Sequence, residues 1–304
     1  MAVIKDTDLG ITGNGSDETA ALQSAVNTTA GNGDRLLITK GIRVNANGIL
    51  MPNNGYVIFD TAESAYVKLL PTTSSNYDIF MFMGNNQTLI NARIDGSNET
   101  NTGGPGACSG MGIGIAGATN TTIVNPIVKN VNGDGYYIRG TYTSANTPPS
   151  NINIFNPRAS GCGRNAMSVV SANGLLVTNI DAEDIFAQLP MCLIDFEPNN
   201  NVDVLLNVRV FGANSRNCQN GLRFSLQNTA GVNPQVIDIL VERFKDEGCM
   251  DMAIHSTGLN AGSYSVTGSI TVNGAEFFHS HTTVSQGPWS GSVPVAVNDQ
   301  EVTA

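Results

Sequence analysis

The chain has 304 residues, of which only 13% are charged and 6% aromatic, and 33 are glycines. This composition favours many short strands joined by tight turns over long amphipathic helices. A net charge of −10, a pI near 4.6 and the lack of clustered Lys and Arg in the sequence argue against a nucleic-acid partner recognised through its phosphates. The same acidity disfavours a strongly anionic polysaccharide, unless a local basic patch or a bound cation reverses the field.

Cysteine usage and hydropathy set further limits. The five cysteines, an odd number without CxxC or zinc-ligand spacing, are predicted to be small buried apolar residues; they are Cys108, Cys162, Cys192, Cys218 and Cys249. The segment 1–6 lacks the apolar run of a signal peptide, and no stretch approaches the roughly 20 apolar residues that span a bilayer. We therefore expect cytoplasmic synthesis and no membrane insertion.

One helix is predicted near the start of the chain. The segment 16–19 supplies an N-cap and first-turn carboxylates, and apolar residues then recur at helical spacing from Ala21 to Val26, until Thr28 and a turn at Gly31. Short apolar strands follow to the end, so the helix is expected to cover the first rung of a stacked sheet.

A repeat runs through the central part of the chain. Successive segments begin roughly 23 to 31 residues apart, a period suited to one coil of a β-helix. These segments are 112–115, 135–138, 166–169, 193–196, 221–224 and 251–254. Each is followed by a second predicted strand; these are 122–127, 151–158, 175–181, 202–210, 236–244 and 270–277. The fold class predicted is all-β, a single-stranded right-handed parallel β-helix with a short N-terminal capping helix.

The expected organisation has three parts. Residues 1–34 form an N-terminal segment with the capping helix, residues 35–284 form the β-helix, and residues 285–304 form a C-terminal tail or end cap.

Asparagines recur at one place in the second strands. Asn125, Asn156, Asn179 and Asn207 share this position, and the predicted register continues as Val241 and Gly274. Because Asn tolerates left-handed backbone geometry and its amides can bond from coil to coil, the pattern predicts a stacked ladder at a turn. The alternative is a set of unrelated loop asparagines.

The opening of the chain resembles a known motif. Asp8-Leu9-Gly10, followed by Gly13-Asn14-Gly15-Ser16-Asp17-Glu18-Thr19-Ala20-Ala21-Leu22-Gln23-Ser24-Ala25, is similar to the first motif of the pectate-lyase-like β-helix superfamily, which includes many phage tailspikes. The resemblance implies a right-handed β-helix with Asn ladders and a homotrimer of side-by-side chains.

Strand alternation predicts which side chains point outward from the coils. One outward column is predicted to contain Gly114, Tyr137, Ser168, Asp195, Arg223 and Ala253. The second is predicted to contain Ala116, Arg139, Val170, Glu197, Ser225 and His255. We therefore predict one polar face, with Asp195, Glu197 and Arg223 as catalytic residues. The predicted substrate-binding residues are Tyr137, Arg139, Arg164, Asn165 and His255.

Two chemistries suit this face. Asp195 and Glu197 lie two apart on one strand, so one could act as the general acid and the other as the general base of a glycoside hydrolase. A lyase would instead use a base such as Arg223, Arg139 or His255, together with an arginine or a divalent cation such as calcium; no other cofactor is expected. A purely structural interpretation stays open, in which residues 197–199 form a turn and Asp195 pairs with Arg223.

The absence of motifs typical of two enzyme families narrows the range of activities that the resemblance implies. The Gly-His-Gly and Arg-Ile-Lys motifs of polygalacturonases and the Tyr-Gly-Phe-Asp-Pro-His motif of alginate epimerases do not occur in the sequence. The leading hypothesis is a tailspike-like depolymerase, located in the phage virion, that binds and cleaves a bacterial surface polysaccharide and contacts other virion proteins. One alternative is a non-catalytic structural or adhesive virion component on the same β-helix. Another is a secreted bacterial polysaccharide enzyme.

Overall fold

The computed structural model describes residues 1–101, 109–143, 146–185, 187–229, 235–257, 266–286, 295–298 and 301–303. It contains one α-helix, α1 (Thr19–Asn32), among these residues. The strands are β1 (Val3–Lys5), β2 (Arg35–Ile38), β3 (Gly41–Val44), β4 (Ile49–Met51), β5 (Tyr56–Phe59), β6 (Tyr66–Leu69), β7 (Asn76–Phe82), β8 (Thr88–Ile90), β9 (Arg93–Asp95), β10 (Ser109–Ala116), β11 (Thr119–Val124), β12 (Ile127–Lys129), β13 (Tyr136–Arg139), β14 (Ser150–Phe155), β15 (Arg158–Ser160), β16 (Met167–Val169), β17 (Ala172–Ile185), β18 (Cys192–Phe196), β19 (Leu205–Cys218), β20 (Asn220–Ser225), β21 (Gln235–Glu247), β22 (Met252–Thr257), β23 (Val266–Asn273), β24 (Glu276–Phe278), β25 (Thr282–Gln286), β26 (Val295–Asn298) and β27 (Glu301–Thr303).

The strands stack into two sheets, which confirms the predicted parallel β-helix. The front sheet has nine strands in the order β25-β22-β20-β18-β16-β13-β10-β7-β4, and the back sheet takes the other 18. Each central coil contributes one strand to the front sheet and two stretches to the back sheet, either as separate strands such as β11 and β12 or as one bent strand such as β17. A residue therefore has its nearest cross-strand neighbours on the previous and the next coil, about 4.8 Å away.

The interior is filled by apolar columns that follow this register. Ile113, Tyr136, Met167, Ile194 and Leu222 occupy one column and are fully buried. In the adjacent column, the rings of Phe196 and Phe224 stack with their centroids 5.1 Å apart. The cysteine prediction is confirmed for the four that the structure describes, which are buried free thiols; Cys108 lies outside the described residues.

Helix α1 packs Leu22 and Val26 against the first coils, where both are fully buried. The predicted end of the helix was too early, because Gly31 lies within α1 and Gly33 takes the left-handed C-cap conformation at φ 69°. The Glu18 carboxylate accepts hydrogen bonds from the backbone N–H groups of Thr12 (2.8 Å) and Gly13 (3.1 Å), which fixes the loop before the helix. No helix in the described part of the chain is long and apolar enough to cross a membrane.

Parallel pairing continues into the last segment. β26 pairs with β23, and β27 pairs with β24. These two strands add a further rung to the back sheet within the segment 295–303.

Left-handed asparagines form the corner of the back sheet. The side-chain amides of Asn125, Asn156 and Asn179 each donate to the carbonyl of the Asn one coil earlier, at 3.0, 2.8 and 2.9 Å, beginning from Asn91. All four have φ between 52° and 55°. The predicted ladder therefore exists, and it begins one coil earlier than expected.

The prediction placed Asn207 and Val241 in this ladder wrongly. In the observed register the position after Asn179 is Gly212, followed by Arg243 and then Gly274, as predicted for the last. Asn207 belongs to a second ladder at another corner, which contains Asn54, Asn86, Asn120, Asn151, Gly174 and Asn207. The error arises because β19 is one long bent strand, in which two corners fall close together.

Substitutions at Asn156 distinguish the contribution of the amide hydrogen bonds to stability from that of the left-handed backbone conformation. Asn156→Ala loses both amide hydrogen bonds and places an alanine in the left-handed region, so we expect the free energy of unfolding to fall by about 2 kcal/mol. Asn156→Gly keeps the backbone conformation and is expected to cost about 1 kcal/mol. Chemical denaturation of the two variants measures the difference, and equal losses would show that backbone geometry at this corner has no energetic role.

Candidate functional site

The polar face predicted from the sequence lies on the outward side of the front sheet. Gly114, Tyr137, Ser168, Asp195 and Arg223 are register partners on successive strands, as predicted for the first column. The prediction of Ala253 as the last member of this column was wrong, because β20 and β22 pair Leu222 with Ile254, two residues beyond the expected alignment. His255, rather than Ala253, is therefore the neighbour of Arg223.

Arg164 joins three coils beneath this face. Its guanidinium donates to both carboxylate oxygens of Glu197 and to Oδ2 of Asp134, at 3.1 Å. Asp134 is fully buried, and burial, opposed by the charge of Arg164, raises its pKa to about 7. The side chains of Arg164 and Glu197 are 17% and 14% exposed, so the ion pair is partly accessible on this face.

Asn165, predicted to bind substrate, is fully buried, so its side chain is not exposed on this face. Its side-chain amide donates to Ser168 Oγ at 2.9 Å, and its carbonyl accepts from the backbone N–H of Cys192 at 2.9 Å. Its backbone N–H donates to Asp134 Oδ1 at 3.0 Å. Asn165 is therefore a positioning residue, which ties the coil of Arg164 to the coil of Asp195.

Asp195 lies at the floor of a cavity of about 160 Å³ that Glu197, Arg223 and Ser225 also line. Only 1% of Asp195 is exposed. Burial, with a further contribution from the charge of Glu197, raises the pKa of Asp195 well above its usual range. Ser225 Oγ donates to Asp195 at 2.9 Å and accepts from Arg223 Nε at 2.9 Å, so the hydroxyl bridges the carboxyl group and the guanidinium.

A larger cavity of about 470 Å³ continues along the face towards the first coils. Arg139 lies against two aromatic rings, with its Cζ 5.7 Å from the centroid of Tyr137 and 5.8 Å from that of Tyr142. Asn199 donates to both phenol oxygens, at 3.4 and 3.1 Å. These contacts hold a cation and two aromatic rings at the cavity wall, beside the Arg164–Glu197 pair.

Asp78 closes the far end of this cavity and was missed by the sequence analysis. Its carboxylate lies over Gly114, where a Cβ atom would meet Oδ1 at 2.1 Å, and Arg139 Nη2 is 3.9 Å from Oδ2. Among the described residues, Oδ1 has no hydrogen-bond partner. Burial, opposed by the charge of Arg139, raises the pKa of Asp78 to about 6.

His255 is half-buried beside Arg223. Within the part of the chain that the structure describes, its Nδ1 atom is buried without a hydrogen-bond partner. Burial and the adjacent charge of Arg223 lower its pKa. His255 is therefore kept neutral, with one ring nitrogen not used by the fold.

No group of three or more His, Cys, Asp or Glu side chains that could hold a metal ion occurs among the described residues. The calcium considered for a lyase stays a prediction.

The Arg164 network yields a stability prediction. Arg164→Gln removes the cation and leaves Asp134 buried without its ionic partner, so we expect a loss of about 3 kcal/mol in the free energy of unfolding at pH 8. The double variant Asp134→Asn/Arg164→Gln is expected to recover more than half of this loss, because the buried charge is gone. If the double variant is no more stable than Arg164→Gln, the loss of stability does not come from the unpaired charge of Asp134.

The raised pKa of Asp78 predicts a pH-dependent effect. The folded pKa of about 6 exceeds the ordinary value of 3.8, so the folded chain retains the proton more strongly and stability falls as the pH rises between these values. Asp78→Asn removes this penalty and is expected to stabilise the protein by up to about 3 kcal/mol at pH 8, and by almost nothing at pH 3.5. Denaturant unfolding at both pH values measures this, with Asp238→Asn, an exposed carboxylate paired with Arg209, as control. A pH-independent difference would contradict the prediction.

No protein-family model matches the sequence, and neither does any curated protein. Several solved structures are similar in fold. Endo-xylogalacturonan hydrolase from Aspergillus tubingensis has a TM-score of 0.69 at 12% identity, over 99% of this chain and 93% of that one. An iota-carrageenase complexed to iota-carrageenan fragments has a TM-score of 0.63 at 16% identity, over 85% of this chain and 57% of that one.

A tailspike protein from an Acinetobacter baumannii bacteriophage, a capsular polysaccharide depolymerase, is also similar. Its TM-score is 0.57 at 15% identity, over 99% of this chain and 63% of the tailspike. Identities this low establish the architecture alone. With the stacked coils and Asn ladders described above, they show that the chain has a parallel β-helix fold.

Proposed function

We propose that the protein binds a polysaccharide along the outward face of the front sheet and hydrolyses it, with Asp195 as general acid and Glu197 as general base. The observation that carries the proposal is that the two carboxyl groups share one cavity but have different surroundings. Asp195 is buried and its pKa is raised, whereas Glu197 accepts two hydrogen bonds from a guanidinium. Carboxyl pairs with such opposed environments are typical of acid and base assignments in hydrolases.

Spacing supports the same pair. Glu197 directly follows β18, two residues after Asp195. Residues two apart in extended backbone have Cα atoms about 6.5 to 7 Å apart, within reach of the carboxyl separation of inverting glycosidases, about 6.5 to 9.5 Å. In this mechanism the Asp195 proton passes to the glycosidic oxygen as its bond to the anomeric carbon breaks. Glu197 accepts a proton from the water that attacks this carbon. Asp78 is four strands from Glu197 in the front sheet, so it is too far away to be the partner.

The larger cavity would bind the sugar residues next to the cleavage point. Tyr137 and Tyr142 offer aromatic surface, and Arg139 offers hydrogen-bond donors between them. Arg223 and the neutral His255 would contact the chain on the other side of Asp195. The substrate would thus run along the column direction and cross several coils.

Phage context for this activity rests on similarity. Tailspike and bacteriophage gene product 12 structures share the fold. We propose that the protein is a virion component that acts on a bacterial surface polysaccharide, assembles as a homotrimer and contacts other virion proteins.

A non-catalytic adhesive role is the second candidate, and a specific observation favours it. Asp195 is almost inaccessible and Glu197 is held by both nitrogens of the Arg164 fork, as expected of residues that only stabilise adjacent coils. The same aromatic and arginine side chains would then bind the polysaccharide without cleaving it.

Depolymerisation assays decide between these functions. The protein is incubated with a panel of bacterial capsules and lipopolysaccharides, and product size, new reducing ends and the ultraviolet absorbance of unsaturated uronates are measured. We expect new reducing ends without that absorbance, and a rate lowered about 10² to 10⁴-fold by Asp195→Asn or Glu197→Gln. Asp238→Asn, the same kind of charge change at the partly exposed Arg209 pair, is expected to keep full activity. Circular dichroism confirms that each variant is folded.

The other outcomes are equally specific. Unsaturated products would show that the protein cleaves the polysaccharide by elimination and not by hydrolysis. Full activity in both carboxyl variants would refute the proposed acid and base. Saturable binding without cleavage, weakened by Tyr137→Ala, would select the adhesive function. No binding and no cleavage across the panel would contradict both.

A further inference from the structure

A second groove runs along the back sheet, on the strands that follow the Asn125 corner. Two cavities form it, of about 580 and 480 Å³, and both are lined by Ile127. They share no lining residue with the two cavities of the front face. We call this the back groove; its outward columns come from β3, β6, β9, β12, β15, β17 and β19.

The back groove is basic although the chain is acidic. One outward column contains Tyr66, Arg93, Ile127, Arg158, Asp181 and Asn214, and the next contains Arg43, Lys68, Asp95, Lys129, Ser160, Glu183 and Arg216. Six cations line the two cavities, namely Arg43, Lys68, Arg93, Lys129, Arg158 and Arg216, against the carboxylates Glu63, Asp95 and Asp181, with Glu99 and Glu183 beside them. Arg216 pairs with Asp181 at 2.8 Å and offsets its charge. In a protein of net charge −10, this is a local reversal of the field.

Three of these cations keep their charge available. Arg43 and Arg158 form no ion pair with any described residue, and Arg158 is exposed. Arg93 donates to the backbone carbonyls of residues 60–62 at 2.8 to 3.3 Å, contacts that orient the guanidinium without a carboxylate partner. Lys68 and Lys129 pair with Asp95 at 3.2 and 3.8 Å, and Lys68 also pairs with Glu99 at 3.4 Å.

An aromatic ring lies in the same groove. Tyr66 packs directly on Gly41, where an added Cβ atom would be 2.4 Å from the ring carbon Cζ. Only glycine at position 41 allows this close approach, which holds the ring in place. Fixed aromatic rings can stack on the apolar face of a sugar, in contrast to a simple solvated charge patch.

We infer that the back groove is a second, non-catalytic binding site for an anionic oligosaccharide, whose carboxylate or sulfate groups pair with Arg43, Arg93 and Arg158. Cations on successive coils repeat every 4.8 Å or a multiple of it, so they suit a linear chain with charges at regular intervals. The back groove extends over several coils, so it suits a chain better than a single phosphate ion. The site is independent of the proposed hydrolysis.

Titration with a matched pair of probes tests this inference. Oligogalacturonate and its fully methyl-esterified form have the same backbone and differ in charge; a sulfated oligosaccharide tests the other anion. We expect calorimetry to show binding of a charged probe and at least tenfold weaker binding of the ester. Arg43→Gln/Arg158→Gln should weaken binding tenfold or more, and Tyr66→Ala severalfold, with loss at high salt. Arg209→Gln removes an arginine elsewhere on the back sheet and is expected to leave affinity unchanged.

Several results would overturn the inference. These are no binding of either charged probe, equal binding of the ester, or unchanged affinity in the arginine double variant. A double variant that changes oligomeric mass in solution, with no effect on probe binding, would show that the groove is an interface between copies instead. Asp195→Asn should leave probe affinity in the back groove unchanged, so failure of the hydrolase proposal and failure of this one give different results.

Discussion

In-register stacking of parallel coils determines which side chains of this protein become neighbours. Stacking brings residues about one coil apart in sequence to within about 5 Å, whatever lies between them in the chain. Asp195 and Arg223 become neighbours in this way, and so do Arg43 and Lys68 on the back sheet. A one-residue slip would turn every such side chain to the other side of the sheet. The left-handed corners and the buried Phe196–Phe224 stack therefore support function as well as stability.

The front face combines a rigid base with a polar surface. Asp134 and Asn165 are fully buried and use their polar atoms within the coils, so their role is to hold Arg164 and the adjacent backbone. Arg164 in turn fixes Glu197. Such support is what a site needs if its carboxyl groups are to have different protonation states, because each pKa depends on small changes in burial and in neighbouring charge. Burying the carboxyl groups of Asp134, Asp195 and Asp78 in this arrangement costs desolvation free energy.

Sequence reasoning reached the fold because a β-helix repeats one pattern many times. The apolar positions of 113–115 and 136–138 recur in later coils, and each recurrence supports the others. Register was less predictable: the alignment of 221–224 with 251–254 was two residues out, so the neighbour of Arg223 was wrong. The bent strand Leu205–Cys218 likewise concealed where its corners lie, which misplaced Asn207.

The candidate site was predicted in outline and incompletely. Strand alternation placed Tyr137, Asp195 and Arg223 on one face, but alternation gives no information about what covers an outward residue. Asp195 is buried by the loops around it, which pattern alone could not reveal. Asp78 was missed because it lies in β7, before the first repeated segment, and Asp134 because it lies two residues before β13, outside the repeated positions. For Asp134 the available signal was a carboxylate between glycines, Gly133-Asp134-Gly135. The basic back groove was anticipated only as the condition under which an acidic protein could bind an anionic chain.

The decisive measurement is a crystal structure of the Asp195→Asn/Glu197→Gln double variant with an oligosaccharide from the recognised surface polysaccharide. We expect sugar residues along the front sheet from Tyr137 to Arg223, with one glycosidic oxygen within hydrogen-bond distance of residue 195. Sugar density confined to another face, or crossing the front sheet without approaching residues 195 and 197, would contradict this expectation.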